Sequence, residues 1–127
     1  LELAFKVKSP NHLMLISDAV APTGLGDGNY QIWEENISVI NGKTQNERGS
    51  IAGSVITMID AVRTMLKIGI SEVDVSKMAS ANPAKLLGIE KDFGSIEVGK
   101  TANLVALDSN DKVVLSLVNG HIAFSGN

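Results

Sequence analysis

The sequence predicts an α/β fold, and three features of its hydrophobic pattern support this prediction. Residues 13–17 form a short apolar run between Pro/Asn and Pro/Gly segments, which is typical of a buried strand in a parallel sheet covered on both faces. In the middle of the chain, apolar residues recur at helical spacing. From Gly94 onward the pattern changes to short strand-like segments separated by turn residues, so we place a boundary at residues 88–94.

The composition is that of a globular domain. Of 127 residues, 44% are hydrophobic and 20% are charged, which allows a real core. The net charge of −3 offers no basic surface for nucleic acid or anionic lipid, and no apolar run approaches the roughly 18 residues of a membrane helix. There is no cysteine and no signal-peptide pattern. We therefore expect a cytoplasmic protein that binds neither nucleic acid nor membranes.

The first eight residues are predicted to be the second half of a helix. Leu1, Phe5 and Lys8 share one face, and Ser9-Pro10 ends the helix. Because the chain has no initiator methionine and opens within an element, we interpret it as part of a longer polypeptide.

A small β excursion is predicted at residues 30–45. Residues 30–33 and 37–40 alternate apolar and polar side chains, Asn36 lies in the connection, and Asn41-Gly42 is a strong signal for a tight turn. This pattern predicts two short strands, the second followed by a turn.

Helices follow the β excursion. Ser54 is the predicted N-cap of the longest one, which ends at Gly69 and has its apolar stripe at Val55, Ile59, Val62 and Leu66. Ser71 and Asp74 have the spacing of a capping box and start a second helix. Asn82-Pro83 is expected to end that helix and to begin a short third one, which stops at Gly88.

The tail is predicted to be a β-meander. Its expected strands are residues 95–98, 102–107, 113–118 and 122–124, and Asn119-Gly120 is a good hairpin turn. So small a sheet with so many apolar positions cannot cover both of its faces, so it is expected to need a partner.

Asp18 is the first candidate functional residue, because it follows the predicted strand at residues 13–17. In α/β folds, reacting groups are mounted where parallel strands end. The competing interpretation is structural: Asp is a common turn starter, and Asp18 precedes a Pro/Gly loop.

A second candidate is the loop of small residues at 49–54. Such a loop can hold an anion through free backbone N–H groups, but this one lacks the lysine of a phosphate-binding loop. His12 and His121 are far apart in the sequence and do not have metal-ligand spacing, so no self-contained metal site is predicted.

Several longer motifs carry a resemblance to a known family. They are LISDAVAPTG at residues 15–24, GSIAGSVITM at 49–58, MASANPA at 78–84 and GSIEVGKTANL at 94–104. Over nearly its whole length the chain resembles the C-terminal third of the N-acetylglucosamine-6-phosphate deacetylases, which are members of the amidohydrolase superfamily. Many relatives carry Asp at the position of Asn103, a departure that falls outside the site.

The resemblance implies a metal-dependent (β/α)8 barrel whose eighth strand is residues 13–17. Residues 1–93 would be the C-terminal part of that barrel, and residues 94–127 would supply the C-terminal strands of a composite β-sandwich. The implied substrate is a small-molecule amino-sugar phosphate, N-acetylglucosamine 6-phosphate. The resemblance also implies that the parent enzyme is a homodimer.

The resemblance assigns roles to four residues. Asp18 would be the general base and acid, taking a proton from metal-bound water and passing it to the departing amine. Ile51, Ala52 and Gly53 match the substrate-contacting loop. The divalent metal, zinc or iron, would be bound by ligands upstream of Leu1, so the chain is expected to be inactive alone.

Two other interpretations remain open at the level of sequence. The chain could belong to another amidohydrolase, such as a cyclic amidase or a nucleobase deaminase, although those relatives are not expected to share the 49–54 loop and the β excursion. It could also be a non-catalytic α/β module that binds a partner through its uncovered sheet.

Overall fold

The computed structural model describes residues 1–126 and contains both helices and antiparallel sheets, as expected for the α/β class. The chain divides into two compact units. The central unit is Leu15–Lys67, and the discontinuous unit combines Leu1–Met14 with the segment from Ile68 onward. Within the described part of the chain, no helix is both long enough and apolar enough to cross a membrane.

The central unit contains the predicted β excursion, but as a meander of three antiparallel strands where two were predicted: β1 (Gly28–Ile32), β2 (Glu35–Ile40) and β3 (Lys43–Asn46). The turn at Asn41-Gly42 forms as predicted, with φ of 51° and 69°. Ile37 and Val39 are buried on one face of this sheet.

The first hairpin turn differs from the prediction. Asn36 lies inside β2, and the turn is made by Trp33 and Glu34 because Ile32 pairs with Glu35. This register leaves a two-residue loop, the connection that twisted hairpins favour. Trp33 adopts φ of 53°, which is rare for a bulky residue, and its side chain is 94% exposed.

In helix α2 (Met58–Lys67) of the central unit, Ala61 and Met65 are buried. The prediction that Ser54 caps this helix is wrong, since the helix begins four residues later. Asp60 instead accepts hydrogen bonds from the backbone N–H and the hydroxyl of Thr57, at 2.9 and 2.6 Å. A carboxylate in the first turn satisfies donors that the helix leaves free, which explains the later start.

The predicted buried strand at residues 13–17 has no hydrogen-bonded strand beside it in the described residues. The segment is not helical, but Met14 and Ile16 are 43% and 76% exposed, so the expectation of burial on both faces is wrong for this chain. A strand needs neighbours to complete its ladder and cover its faces. The nearest equivalent is one parallel bridge between Ala19 and Ser54.

The discontinuous unit begins with α1 (Glu2–Val7), which ends before Ser9-Pro10 as predicted. Its larger helical part starts with α3 (Glu72–Ser76), where the Ser71 hydroxyl accepts from the Asp74 N–H and confirms the predicted cap.

The predicted helix break at Asn82-Pro83 does not occur. The helix continues from α3 through a π-helical turn (Lys77–Ala81) into α4 (Asn82–Leu87) and stops at Gly88 with φ of 70°. Proline lacks an N–H and crowds the carbonyl four residues earlier, and a wider turn relieves both problems. The Asn82 side-chain amide donates to the carbonyls of Pro10 and Leu13, at 2.7 and 2.6 Å.

The tail forms the predicted meander with one strand fewer. Strands β4 (Leu104–Leu107), β5 (Val113–Val118) and β6 (His121–Ser125) pair in order, and Asn119-Gly120 makes the last turn. Residues 95–98 are not a strand. A network from Lys100 to the Ser95 hydroxyl, and from that hydroxyl to Glu97, folds the segment into a local turn instead.

Candidate functional site

The candidate site lies in the central unit, where Asp18 meets the 51–54 loop. The Ser54 N–H donates to the Asp18 carbonyl at 2.7 Å, and the Val20 N–H donates to the Ser54 carbonyl at 2.9 Å. These two bonds form the parallel bridge between Ala19 and Ser54. They bring the two segments that the sequence singled out into direct contact.

The carboxylate of Asp18 is exposed and makes no hydrogen bond or ion pair with any residue in the described range. The structure therefore does not support the interpretation that this side chain caps the following turn. Its backbone adopts φ of 51°, a conformation that Asp tolerates better than most residues but that still requires support from its surroundings. An exposed acceptor on a constrained backbone is available to a ligand.

Gly53 lies directly beside Asp18. A Cβ added to Gly53 would come within 2.6 Å of the Val20 side chain and 2.8 Å of the Asp18 carbonyl, while Oδ2 of Asp18 would be 3.7 Å away. With φ of 70° as well, this position requires glycine for both conformation and space. Ile51, two residues earlier, is 85% exposed.

Thr44 of β3 holds the loop from the sheet. Its hydroxyl donates to the Gly53 carbonyl at 2.6 Å and accepts from the Ala52 N–H at 3.3 Å. With 6% of its surface exposed, Thr44 belongs to the buried face of the meander. The β excursion thus supports the loop that contacts Asp18.

A groove of about 680 Å³ begins next to Asp18. The groove is lined by residues 19–21, residues 32–35 and Ile37. The surface is mostly apolar, and its charged groups are the carboxylates of Glu34 and Glu35. These negative charges disfavour a phosphate group in the groove.

The described residues contain no group of three or more His, Cys, Asp or Glu side chains that could hold a metal ion. The described residues therefore do not by themselves fit a divalent metal.

Two residues of this site, Ser54 and Thr44, were not predicted from the sequence. The position of Ser54 before a helix is typical of a cap, and Thr44 belongs to no functional motif. A signal for Thr44 was present: a two-residue turn at Asn41-Gly42 pairs Val39 with Thr44, and a residue opposite an inward-facing valine must also face inward. Ser54 offered no comparable local signal.

The profile of the amidohydrolase family matches residues 12–126, so the chain belongs to the amidohydrolase family. Over 124 residues it is 36% identical to the N-acetylglucosamine-6-phosphate deacetylase of Bacillus subtilis, covering 97% of this chain and 31% of that protein. Over 112 residues it is 35% identical to an N-acetylgalactosamine-6-phosphate deacetylase of Escherichia coli, covering 87% of this chain and 30% of that protein.

The fold is similar to that of a solved deacetylase. The crystal structure of N-acetylglucosamine-6-phosphate deacetylase from Thermotoga maritima matches with a TM-score of 0.92 and 33% identity, over 98% of this chain and 34% of that chain. The present chain thus spans about a third of the length of these relatives.

Proposed function

We propose that the chain is the C-terminal third of a sugar-phosphate deacetylase that hydrolyses N-acetylglucosamine 6-phosphate to glucosamine 6-phosphate and acetate. The names of the relatives support the reaction class, and the span of about a third supports the assignment to part of an enzyme. The observation that carries the proposal is the bridge that holds Asp18 against Gly53 and Ser54. It puts an unpartnered carboxylate next to a backbone that a sugar can approach closely.

In this proposal Asp18 is the general base and then the general acid. It accepts a proton from the water that attacks the acetamide carbonyl and returns a proton to the amine as the C–N bond breaks. Ile51, Ala52 and Gly53 contact the substrate. A divalent metal, zinc or iron, would acidify the attacking water, and its ligands would lie outside the described residues.

The proposal extends to architecture and assembly. Residues 1–93 would complete a (β/α)8 barrel, with residues 13–17 as its last strand, and residues 94–127 would join a β-sandwich. The parent enzyme would be a cytoplasmic homodimer, and the 127-residue chain alone would be inactive. The exposure of Met14 and Ile16 is compatible with neighbours from elsewhere in such a barrel.

The relatives carry two substrate names, which differ only in the orientation of the C4 hydroxyl. A substrate panel on the full-length polypeptide therefore needs both N-acetylhexosamine 6-phosphates, a cyclic amide and a nucleobase. We expect N-acetylglucosamine 6-phosphate to give the highest kcat/KM. A preference for the cyclic amide or the nucleobase would overturn the assignment.

The role of Asp18 is tested by Asp18→Asn in the full-length polypeptide. Loss of a general base is expected to lower kcat on the order of 100-fold or more. Asp92→Asn makes the same chemical change at an exposed carboxylate of the discontinuous unit and is expected to leave turnover unchanged. Near wild-type turnover in Asp18→Asn would show that this carboxylate is not the base.

A further inference from the structure

Ser54 holds the backbone on both sides of Asp18, and we propose that it is the positioning residue for this carboxylate. This inference rests on the proposed function and adds a residue to its site. Neither the Ser54 hydroxyl nor its N–H needs to touch the substrate, since both act through Asp18.

The hydrogen bonds of Ser54 hold the backbone before and after Asp18. Its hydroxyl donates to the carbonyl of Ser17, and its N–H donates to the carbonyl of Asp18 at 2.7 Å. Its own carbonyl accepts from the Val20 N–H at 2.9 Å. The peptide groups before and after Asp18 are therefore both held by one residue, which restricts both backbone dihedrals of Asp18.

The conformation of Asp18 explains why such restraint is needed. With φ of 51°, this residue is in the left-handed region, which is unfavourable for L-residues, although less so for Asp than for most. Such a conformation persists where the surroundings over-determine it. In an extended backbone the side chain would leave the chain in a different direction, so the three hydrogen bonds set where the carboxylate points.

The hydroxyl of Ser54 both donates and accepts a hydrogen bond. A hydroxyl has one proton to donate, and here it goes to Ser17, while a lone pair accepts from the Ile56 N–H at 3.2 Å. Ser54→Ala would leave both partners unpaired and would free the peptide group before Asp18. Ser54→Thr would keep the hydroxyl and is the conservative variant.

Thr44 provides the contrasting case. Its hydroxyl also bonds the loop, but to Ala52 and Gly53 and not to the backbone of Asp18. Removal of the Thr44 hydroxyl should therefore loosen the substrate-contacting residues and affect KM. Removal of the Ser54 hydroxyl should misdirect the base and affect kcat.

The test measures kcat and KM of these hydroxyl-deletion variants in the full-length polypeptide. The substrate is N-acetylglucosamine 6-phosphate. Since a misplacement of about 1 Å can cost on the order of 100-fold, we expect Ser54→Ala to lower kcat about 10- to 100-fold with little change in KM. Ser54→Thr should recover most of the lost kcat. Thr44→Val should raise KM more than it lowers kcat, and Ser38→Ala, which removes an outlying hydroxyl of β2, should change neither.

A double-mutant cycle isolates the coupling to Asp18. In the Asp18→Asn background, Ser54→Ala should have no further effect on kcat, because the group that it positions is already lost. Equal losses of kcat in both backgrounds, or an unchanged kcat in a folded Ser54→Ala variant, would overturn the inference. If Ser54→Ala does not fold, Ser54→Cys must show the same coupled loss, because a thiol is a weak donor. Near wild-type turnover in Asp18→Asn would instead refute the proposed function.

Discussion

The two meanders of this protein share a topology but differ in what covers them. Both have three antiparallel strands in sequence order, and each has an Asn-Gly turn before its last strand. In the central unit, β2 and β3 bury Ile37, Val39 and Thr44. In the discontinuous unit, no residue of β4, β5 or β6 is fully buried, and large side chains remain open: Val105, Val118, Ile122 and Phe124.

The difference shows that strand pairing and burial have separate causes. The turns and alternating patterns specify pairing in both sheets, because these signals act between neighbours in the chain. Burial requires a second layer, and in the central unit the 51–54 loop lies against the buried face of the meander through the Thr44 hydroxyl. The meander that is covered is also the one that supports the candidate site.

The largest expected effect is a loss of stability when a core side chain of the covered meander is shortened. Ile37→Ala, at a position only 6% exposed, is expected to lower the free energy of unfolding by about 2–5 kcal/mol. Ile122→Ala, at a position 68% exposed, should change it by less than about 0.5 kcal/mol in the same chain. Urea unfolding measures both. Equal losses of stability in the two variants would show that the two sheets do not differ in burial. A large loss for Ile122→Ala that appears only in the full-length polypeptide would show that this face of the β4–β5–β6 sheet is covered there.

A smaller effect on stability is expected at the two Asn-Gly turns, because their backbone N–H groups donate to different kinds of side chain. The Asp27 carboxylate accepts from Asn41 N–H at 2.6 Å and Gly42 N–H at 3.1 Å. Within residues 1–126, the neutral Asn103 side chain accepts from one donor at the second turn, Asn119 N–H, at 2.7 Å. Hydrogen bonds to charged groups contribute about 1.5–3 kcal/mol and neutral ones about 0.5–1.5 kcal/mol. We therefore expect Asp27→Ala to destabilise the protein more than Asn103→Ala in urea unfolding.

Asn103→Asp is the matched control for charge. It keeps the acceptor and adds a negative charge, so it should retain or slightly raise stability. An Asn103→Ala loss as large as that of Asp27→Ala would show that charge does not distinguish the two turns.

The smallest expected effect is the loss of stability at low pH that comes from two carboxyl groups with lowered pKa values. In the central unit the Thr57 hydroxyl, helped by Arg63, holds the pKa of Asp60 below its ordinary value of 3.8. In the discontinuous unit the Ser95 hydroxyl, followed by Lys100, likewise lowers the pKa of Glu97 below 4.5. Since the folded pKa is depressed, the stabilisation is complete above the unfolded pKa and is lost as the pH falls through the folded value.

NMR titration of these two carboxyl groups checks the cause. Thr57→Ala should raise the pKa of Asp60 toward 3.8, and Ser95→Ala should raise that of Glu97 toward 4.5. Both groups are well exposed, so the accompanying changes in stability should be small. If the pKa does not rise in a variant, a neighbour other than the removed hydroxyl causes the shift.

Predictions from the sequence were accurate where a feature depends on residues close together in the chain. The cap at Ser71, the stop at Gly88 and the turns at Asn41-Gly42 and Asn119-Gly120 were predicted correctly, since each depends on residues within a few positions. The predicted break at Pro83 failed because a π-helical turn accommodated the ring. Residues 95–98 had a strand-like pattern but no neighbour to pair with.

The candidate site shows the same division. Asp18 and Gly53 could be selected individually, from the end of an apolar run and from a small-residue loop, and their roles came only from the resemblance. Their contact could not be predicted from local rules, because the bridge joins segments more than 30 residues apart. Ser54 was misassigned for this reason: a serine before a helix is an ordinary cap unless the fold offers its hydroxyl another partner.

By itself, the sequence determined the Ser71 cap, the stop at Gly88, the two Asn-Gly turns and the position of the carboxylate at the end of its segment. Tertiary structure alone decided that Ser54 would hold the backbone of Asp18, that Thr44 would support the loop, and that one meander would be covered. The physical reason is that turns and caps are hydrogen-bonded within a few residues, whereas the partner of a side-chain hydroxyl and the burial of a sheet face depend on which distant segments pack together.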